Sequence, residues 1–378
     1  MTNVHHFIGN PVSAKRFVEP LLLRLNREGY ATEVIIDIVR GDALFAEHIQ
    51  VKHRLAIFLF SLRPWILFAG VRNMYWHFLR NEIDVVHAHQ TLSALLPLFF
   101  AWASNCPIRI YHNHGSVFRG AKGLIRFGLI TLERVNCLLA THVIFVSAGL
   151  RRDFLDAKVL GKEKAFVIGA GSACGLEIPP HETTLSLERE QAIKRYVGIP
   201  VTDRVALYVG RSFKRKGFQF LVAWWQRENH NFPDLWLILA GCTPIDVAKV
   251  SETELPRLRA LGYVENIDDY YKLSDFVLLP SESEGFSYAV LEAFLAKRAV
   301  IATDAPGLRD QIRQMETGLL FPIGSYLSLN KCVRELSSNS ILKKRLEESA
   351  LNYVKQFDRQ VHLEQFVKFY RGITADKC

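Results

Sequence analysis

Short apolar, β-branched runs alternate with longer amphipathic stretches along this chain, and they do so in two separate series. In the first half, residues 4–8, 31–38, 84–88, 108–112 and 142–146 have the length and composition of buried strands. Helical periodicity lies between several of them, as over 16–28 before Gly29. In the second half the strand candidates are 204–209, 235–240, 276–279 and 299–302, separated by helical stretches at 218–227, 254–261 and 288–296. Strand–helix–strand units pack as parallel sheets covered on both faces, which predicts an α/β chain of two Rossmann-like doubly wound domains. A length of 378 residues is enough for two such cores. Residues 177–190 are polar and contain Pro179-Pro180, the composition of a joint. The expected organisation is a domain at 1–178, a linker at 179–200, a second domain at 201–355, and a C-terminal helix at 356–378 packing back on the first domain.

Composition narrows the class. Hydrophobic residues make up 49% and charged residues 22%, which excludes a disordered or collagen-like chain. The six cysteines are scattered and none form a CxxC pair, so neither a disulfide framework nor a zinc site is expected. The first residues read as a strand and not as a signal peptide, which places the chain in a reducing cytoplasm. Of the formal charge of +9, residues 1–178 carry 20 Lys+Arg against 13 Asp+Glu, and the rest 27 against 25. An anionic partner is therefore expected on the first half. Residues 55–62 and 65–71 are apolar but Arg63-Pro64 divides them, too short for the roughly 20 residues of a spanning helix. Two alternatives stay open for residues 54–80. They form either a core helix or an interfacial segment, in which Arg54, Arg63, Arg72 and Arg80 interleave with Phe58, Phe60, Trp65, Phe68, Tyr75 and Trp76.

Two motifs in the second half carry chemistry. The strand at 204–209 runs into Gly210-Arg211-Ser212-Phe213-Lys214-Arg215-Lys216-Gly217 before a helix, an order that suits a phosphate site or a solvated basic turn. Arg211 and Lys216 would neutralise a diphosphate. The loop lacks the GxxxxGK[ST] order of a P-loop, which argues against an ATPase. The second motif is Leu278-Leu279-Pro280-Ser281-Glu282-Ser283-Glu284-Gly285-Phe286-Ser287, leading into a helix that carries Glu292. Eight helical residues separate two side chains by about 80° and about 12 Å. Glu284 and Glu292 are thus expected to touch different parts of one elongated ligand, with free amides at Phe286–Tyr288 between them to hold phosphate.

These residues resemble the glycosyltransferase family 4 signature within the GT-B fold. The resemblance takes in Glu284-x7-Glu292, Gly262-Tyr263-Val264, Tyr270-Tyr271-x3-Asp275, the 300–307 turn, the Gly-Arg…Lys-Gly loop and Gly318-Leu319-Leu320-Phe321-Pro322, across most of residues 203–324. It implies that Glu284 meets the donor sugar hydroxyls and Glu292 the ribose of a nucleotide sugar, while Arg211 and Lys216 stabilise the leaving diphosphate. Gly210, Val264, Gly285, Phe286 and Ser287 complete the implied donor site. It also implies retention of configuration and no metal or other cofactor, the donor being a co-substrate. Lys297 and Ala299 stand where the family usually has Gly and Pro, and Asp310 where an acid follows the Gly-rich turn.

The first half is rich in histidine, as His5-His6, His87/His89 and His112/His114. Residues i and i+2 of a strand share a face, so each HxH pair can point into one cleft. A metal site there lacks supporting Cys or carboxylate at ligand spacing, and none is expected. By the resemblance, His114-Gly115 faces the donor sugar, His89 and His112 support it on the acceptor side, and Gly9-Asn10 is the acceptor-side turn. The 167–177 hinge matches only in outline, with Cys174 where Asn is usual. A single Cys in such a turn is structural more often than catalytic.

The expectation is a retaining glycosyltransferase acting with a UDP-sugar, or a GDP-sugar, on a polyprenyl-diphosphate-linked or other saccharide acceptor. Its partners are the nucleotide sugar, that acceptor and an anionic membrane surface against the first domain, with no nucleic acid. It belongs at the cytoplasmic face of the inner membrane, in polysaccharide, lipopolysaccharide or capsule synthesis. A sugar-nucleotide epimerase is the alternative enzyme, and a non-catalytic binder of anionic ligands the alternative outside catalysis.

Overall fold

The computed structural model describes residues 1–9, 11–37, 53–55, 64–180 and 184–375. The chain divides into two compact units, Met1–Gly175 with Phe357–Cys378, and Leu176–Gln356.

The N-terminal unit is built on seven parallel strands: β1 (Asn3–Ile8), β2 (Ala31–Asp37), β3 (His53–Leu55), β4 (Val85–His89), β5 (Ile108–Asn113), β6 (His142–Phe145) and β7 (Ala165–Val167). Their order is β3-β2-β1-β4-β5-β6-β7, so the winding reverses between β1 and β4. Strands buried on both faces must be apolar throughout, which is why Val4, Phe7, Val85, Val86, Ile110, Ile144 and Phe145 are all inaccessible. The histidines of β1, β4 and β5 are the departure from that rule. The C-terminal helix Arg359–Ala375 belongs to this unit and sets Leu363, Phe366, Val367 and Tyr370 against Val4, Ile108, Ile110 and Ile144.

The second unit has six parallel strands: β8 (Arg204–Val209), β9 (Leu235–Ala240), β10 (Leu258–Gly262), β11 (Phe276–Leu279), β12 (Ala299–Thr303) and β13 (Gly318–Phe321). The order β10-β9-β8-β11-β12-β13 repeats the reversal, here between β8 and β11. Helix Phe218–Glu228 buries Trp224 and Trp225 under this sheet, and their indole N–H groups donate to Asn330 Oδ1 (2.6 Å) and the Pro256 carbonyl (2.9 Å). Each such burial stabilises by about 2–3 kcal/mol, and the bonded N–H avoids an offsetting desolvation cost.

Two expectations are corrected here. The stretch 254–261 is not a helix: Leu258–Gly262 pairs in parallel with β9, and Pro256 lacks the N–H a helix interior needs. Within the expected linker, Leu187–Tyr196 is a helix of the second unit, its Ser186 hydroxyl accepting from the Arg189 N–H at 3.2 Å. Cys106, Cys137, Cys174 and Cys242 are buried, and the Cys174 thiol donates to the Arg16 carbonyl. No helix among the described residues is long and apolar enough to cross a membrane.

Candidate active site

Ligands of doubly wound sheets bind at the carboxyl ends of the strands where the winding reverses. In the second unit, the loops there are those after β8 and β11. The first turns through Lys214–Lys216 and reaches helix Phe218–Glu228 at Gly217, whose φ is +72°. A Cβ at Gly217 would overlap the Pro280 carbonyl oxygen, and one at Gly307 (φ +85°) would overlap the Glu284 carbonyl oxygen. Three loops therefore close on one another through backbone, as only glycine permits.

That closure brings Lys216 Nζ to 2.6 Å from Glu284 Oε1. The Ser281 hydroxyl donates to the same oxygen at 2.8 Å, and Arg215 Nη1 lies 3.6 Å from Oε2. Ser281 is in turn fixed through its carbonyl, which accepts from Thr303 Oγ1. Glu284 has only 7% of its side chain exposed while Lys216 keeps 27%. The pair thus sits at the floor of a loop with its cation reaching outward.

Glu292 lies on helix Tyr288–Leu295, with Oε2 accepting from the Tyr271 hydroxyl at 2.9 Å. Glu284 and Glu292 have separate partners, as their spacing requires. Arg211, expected to meet the diphosphate with Lys216, has its guanidinium over the exposed Phe213 ring, 4.9 Å from the centroid. Arg215 is the second cation near Glu284, and the basic loop offers no sign in sequence of which cation turns inward. The amide at Ser287 is not free for phosphate, because it donates to Gln311 Oε1 at 2.7 Å while Gln311 Nε2 donates back to the Ser287 carbonyl at 2.9 Å. Gly210 holds the end of β8 through its N–H to the Ala240 carbonyl, and Gly285, Phe286 and Val264 are partly exposed. Lys297, where the family usually has Gly, adopts φ +56°, a left-handed conformation that costs a residue with a Cβ about 1 kcal/mol.

In the N-terminal unit the reversal falls between Gly9 and His89. A Cβ at Gly9 would overlap the Ser93 hydroxyl, so the turn after β1 lies directly on the helix after β4. Asn10 lies outside the described residues. Strand register sets His6 beside His87 and His89 beside His112. Burial has emptied these rings of charge: His6 is pulled down to about 3 and His114 to about 4, while His87, His89 and His112 lie well below the usual range, each neighbour adding to the effect. His89 and His112 are buried, which corrects their expected contact with an acceptor. His114 alone of the cluster is partly exposed.

A further group was not legible in sequence. Glu133 is buried on helix Gly123–Leu139 and accepts from Thr91 Oγ1 (2.8 Å) and the Tyr111 hydroxyl (2.7 Å). Asn113 donates to Tyr111 and accepts from the Gly115 N–H at 3.0 Å, so this network holds the turn that carries His114. Burial pushes the Glu133 carboxyl up to about 7, against the lowering effect of those hydrogen bonds. Its only advance sign is an acid within an apolar run.

Two doubly wound parallel sheets, one with a cation–carboxylate pair at its reversal point, define a GT-B frame. Residues 14–171 match the family described as Glycosyltransferase Family 4, and residues 189–353 match Glycosyl transferases group 1. The chain belongs to the family 4 glycosyltransferases. It is 23% identical over 349 residues to the capsular polysaccharide biosynthesis glycosyltransferase CapM of Staphylococcus aureus, covering 90% of this chain and 88% of CapM. In fold it is similar to Anabaena HepE in complex with UDP-glucose (TM-score 0.77, 17% identity, 98% and 100% of the two chains). It is likewise similar to sucrose-phosphate synthase from Thermosynechococcus elongatus (TM-score 0.76, 18% identity, 100% of each chain).

Proposed function

We propose that this chain transfers a sugar, with retention of configuration, from a nucleotide sugar to a saccharide acceptor in cell-surface polysaccharide synthesis. UDP-sugars are the favoured donors and a polyprenyl-diphosphate-linked saccharide the favoured acceptor. The observation that carries the reading is the Lys216–Glu284 pair at the reversal point of the second sheet. Glu284 binds sugar hydroxyls, and Lys216, with Arg211 swung from Phe213, meets the diphosphate as charge grows on it. Glu292, held by Tyr271, receives the ribose. The cations of the chain stabilise the leaving group in this reading, which assigns no part to a metal. HepE's complex with UDP-glucose and the capsular role in CapM's name support the donor and the pathway class.

Titration of UDP and GDP into the wild type and Glu292→Ala tests the donor site. Loss of one charge-assisted hydrogen bond is expected to weaken UDP binding roughly 10- to 100-fold. Unchanged affinity in the variant would remove Glu292 from the ribose site, and no binding of either nucleotide would contradict the donor class.

The acceptor reading rests on the surface of the N-terminal unit. Helix Gly123–Leu139 exposes Leu124 (89%), Ile125 (72%) and Phe127 (65%) beside Lys122 and Arg126. Tyr75, Trp76 and Leu79 are also exposed near Arg72 and Arg80, whereas the side chains of Arg54, Phe58, Phe60, Arg63, Trp65 and Phe68 lie outside the described residues. Apolar tips among cations suit an anionic lipid surface, at about 1 kcal/mol per cation, and so a peripheral place on the cytoplasmic face of the inner membrane. In sedimentation with phosphatidylglycerol-containing vesicles, a Leu124→Glu/Ile125→Glu/Phe127→Glu variant should bind roughly tenfold or more weakly. Wild-type-like sedimentation would remove this helix from the membrane contact.

A further inference from the structure

Six side chains of the N-terminal unit form one unbroken line of hydrogen bonds. His112 Nδ1 meets His87 Nε2 at 3.3 Å, and His87 Nδ1 meets the Tyr370 hydroxyl at 2.7 Å. That hydroxyl meets His6 Nε2 at 3.4 Å, and His6 Nδ1 meets His89 Nε2 at 3.2 Å. His89 Nδ1 then meets His114 Nε2 at 3.2 Å, where the line reaches partly exposed surface.

A neutral imidazole has one N–H and one lone pair, and a hydroxyl has one proton to donate. With the buried hydroxyl proton bonded within the line, fixing the direction of any one bond fixes all five. Two arrangements satisfy that proton: every ring protonated on Nε2, or every ring protonated on Nδ1. In the first, the open Nδ1 of His114 is a lone pair; in the second it is a donor.

The rings themselves choose between them. Among the described residues His112 Nε2 has no hydrogen-bond partner, so no contact at the buried end sets the direction. Nε2–H is the form a free histidine prefers, and that preference acts on all five rings of the line at once.

The same rings offer two triads, His6/His87/His89 and His89/His112/His114, whose nitrogens lie within 4.8 Å of one another. Neither triad includes a carboxylate or thiolate to offset a buried divalent charge. Their nitrogens, His112 Nε2 and the open Nδ1 of His114 apart, are already used in the line. The hydrogen-bonded arrangement accounts for the geometry without an ion.

We propose that Tyr370 and the four buried histidines are positioning residues: they form a directional chain that holds His114 as its Nε2–H form and presents its Nδ1 as an acceptor for a substrate hydroxyl. The proposal rests on the transferase reading for what His114 meets, but the chain itself can be read without substrate. Long-range nitrogen–proton spectra of the full-length protein, labelled with ¹⁵N in histidine, report which nitrogen of each ring carries the proton. Expected at neutral pH are five cluster rings protonated on Nε2 only. Tyr370→Phe, which removes the linking hydroxyl, should shift the ring nitrogens of His114, while Phe366→Leu on the same helix, a packing change, should not. Mixed forms, a charged ring, or bound Co²⁺ with visible ligand-field bands in the wild type would each overturn the proposal. So would unmoved His114 signals in folded Tyr370→Phe. If that variant fails to fold, the wild-type pattern alone decides. None of these outcomes depends on turnover, so failure here leaves the donor reading standing.

Discussion

Lowering the pH from about 7.5 to about 5 is expected to unfold the N-terminal unit while the second unit stays protected. His6, His87, His89, His112, His114 and His362 are all held below the ordinary 6.5, chiefly by burial. A histidine whose folded value is lowered is neutral when folded and charges on unfolding. Its stabilising contribution is complete above 6.5 and is lost as pH falls toward the folded value. At pH 5 each such group costs about 2 kcal/mol, and six together roughly 12. Glu133, raised to about 7, works in the opposite direction and regains about 2 kcal/mol between pH 7 and 5. The histidines win by a margin comparable to the whole stability of a domain, about 5–15 kcal/mol. Hydrogen exchange across a pH series would show peptides of Met1–Gly175 and the C-terminal helix losing protection together. Undiminished protection of those peptides at pH 5 would mean the cluster accepts protons in place, against the burial argument.

The second large effect concerns turnover. Lys216→Ala removes the cation at 2.6 Å from Glu284 and leaves that buried carboxylate with Ser281 and the longer contact to Arg215. Removing one preorganised group that stabilises developing charge costs about 3–4 kcal/mol, or roughly 10²–10³ in kcat. Lys216 is more than a quarter exposed, so the accompanying loss of fold stability is small by comparison. Glu284→Ala should fall in the same range, with Lys216→Arg recovering part of the rate. The matched thermal stability of the variants separates a lost role from a lost fold.

What the sequence could reveal follows from how local the signal is. Valine and isoleucine runs such as 204–209 and 299–302 mark buried parallel strands because both faces must be apolar. Residues 254–261 misled because Leu255, Leu258 and Leu261 fit a helical period, although Pro256 argued against it. The helix at Leu187–Tyr196 was hidden by polarity, since it buries little beyond Ile193. Glu284 and Lys216 were legible as motif members, but their contact spans 68 residues and depends on glycine at 217 and 307. Gln311 occupies the Ser287 amide from 24 residues away, and Tyr370 reaches His87 across 283. No spacing rule reaches that far, so the partners of the site had to be seen.

The basic charge of residues 1–178 gains a more specific meaning from the same geometry. The cations proposed to handle the donor lie at Arg211 and Lys216, in the half that is close to neutral. On the proposed reading, the N-terminal excess serves the acceptor and an anionic lipid surface met by Leu124, Ile125 and Phe127.

Sugar transfer itself is the most direct test. The wild-type protein should be incubated with a panel of radiolabelled UDP- and GDP-sugars and a polyprenyl-diphosphate-linked saccharide, with Lys216→Ala as the matched control. Label is expected in the lipid fraction with one UDP-sugar, with release of one nucleoside diphosphate per sugar transferred and a loss of roughly 10²–10³ in the control. Conversion of the nucleotide sugar with no dependence on any acceptor, or equal transfer by Lys216→Ala, would contradict it.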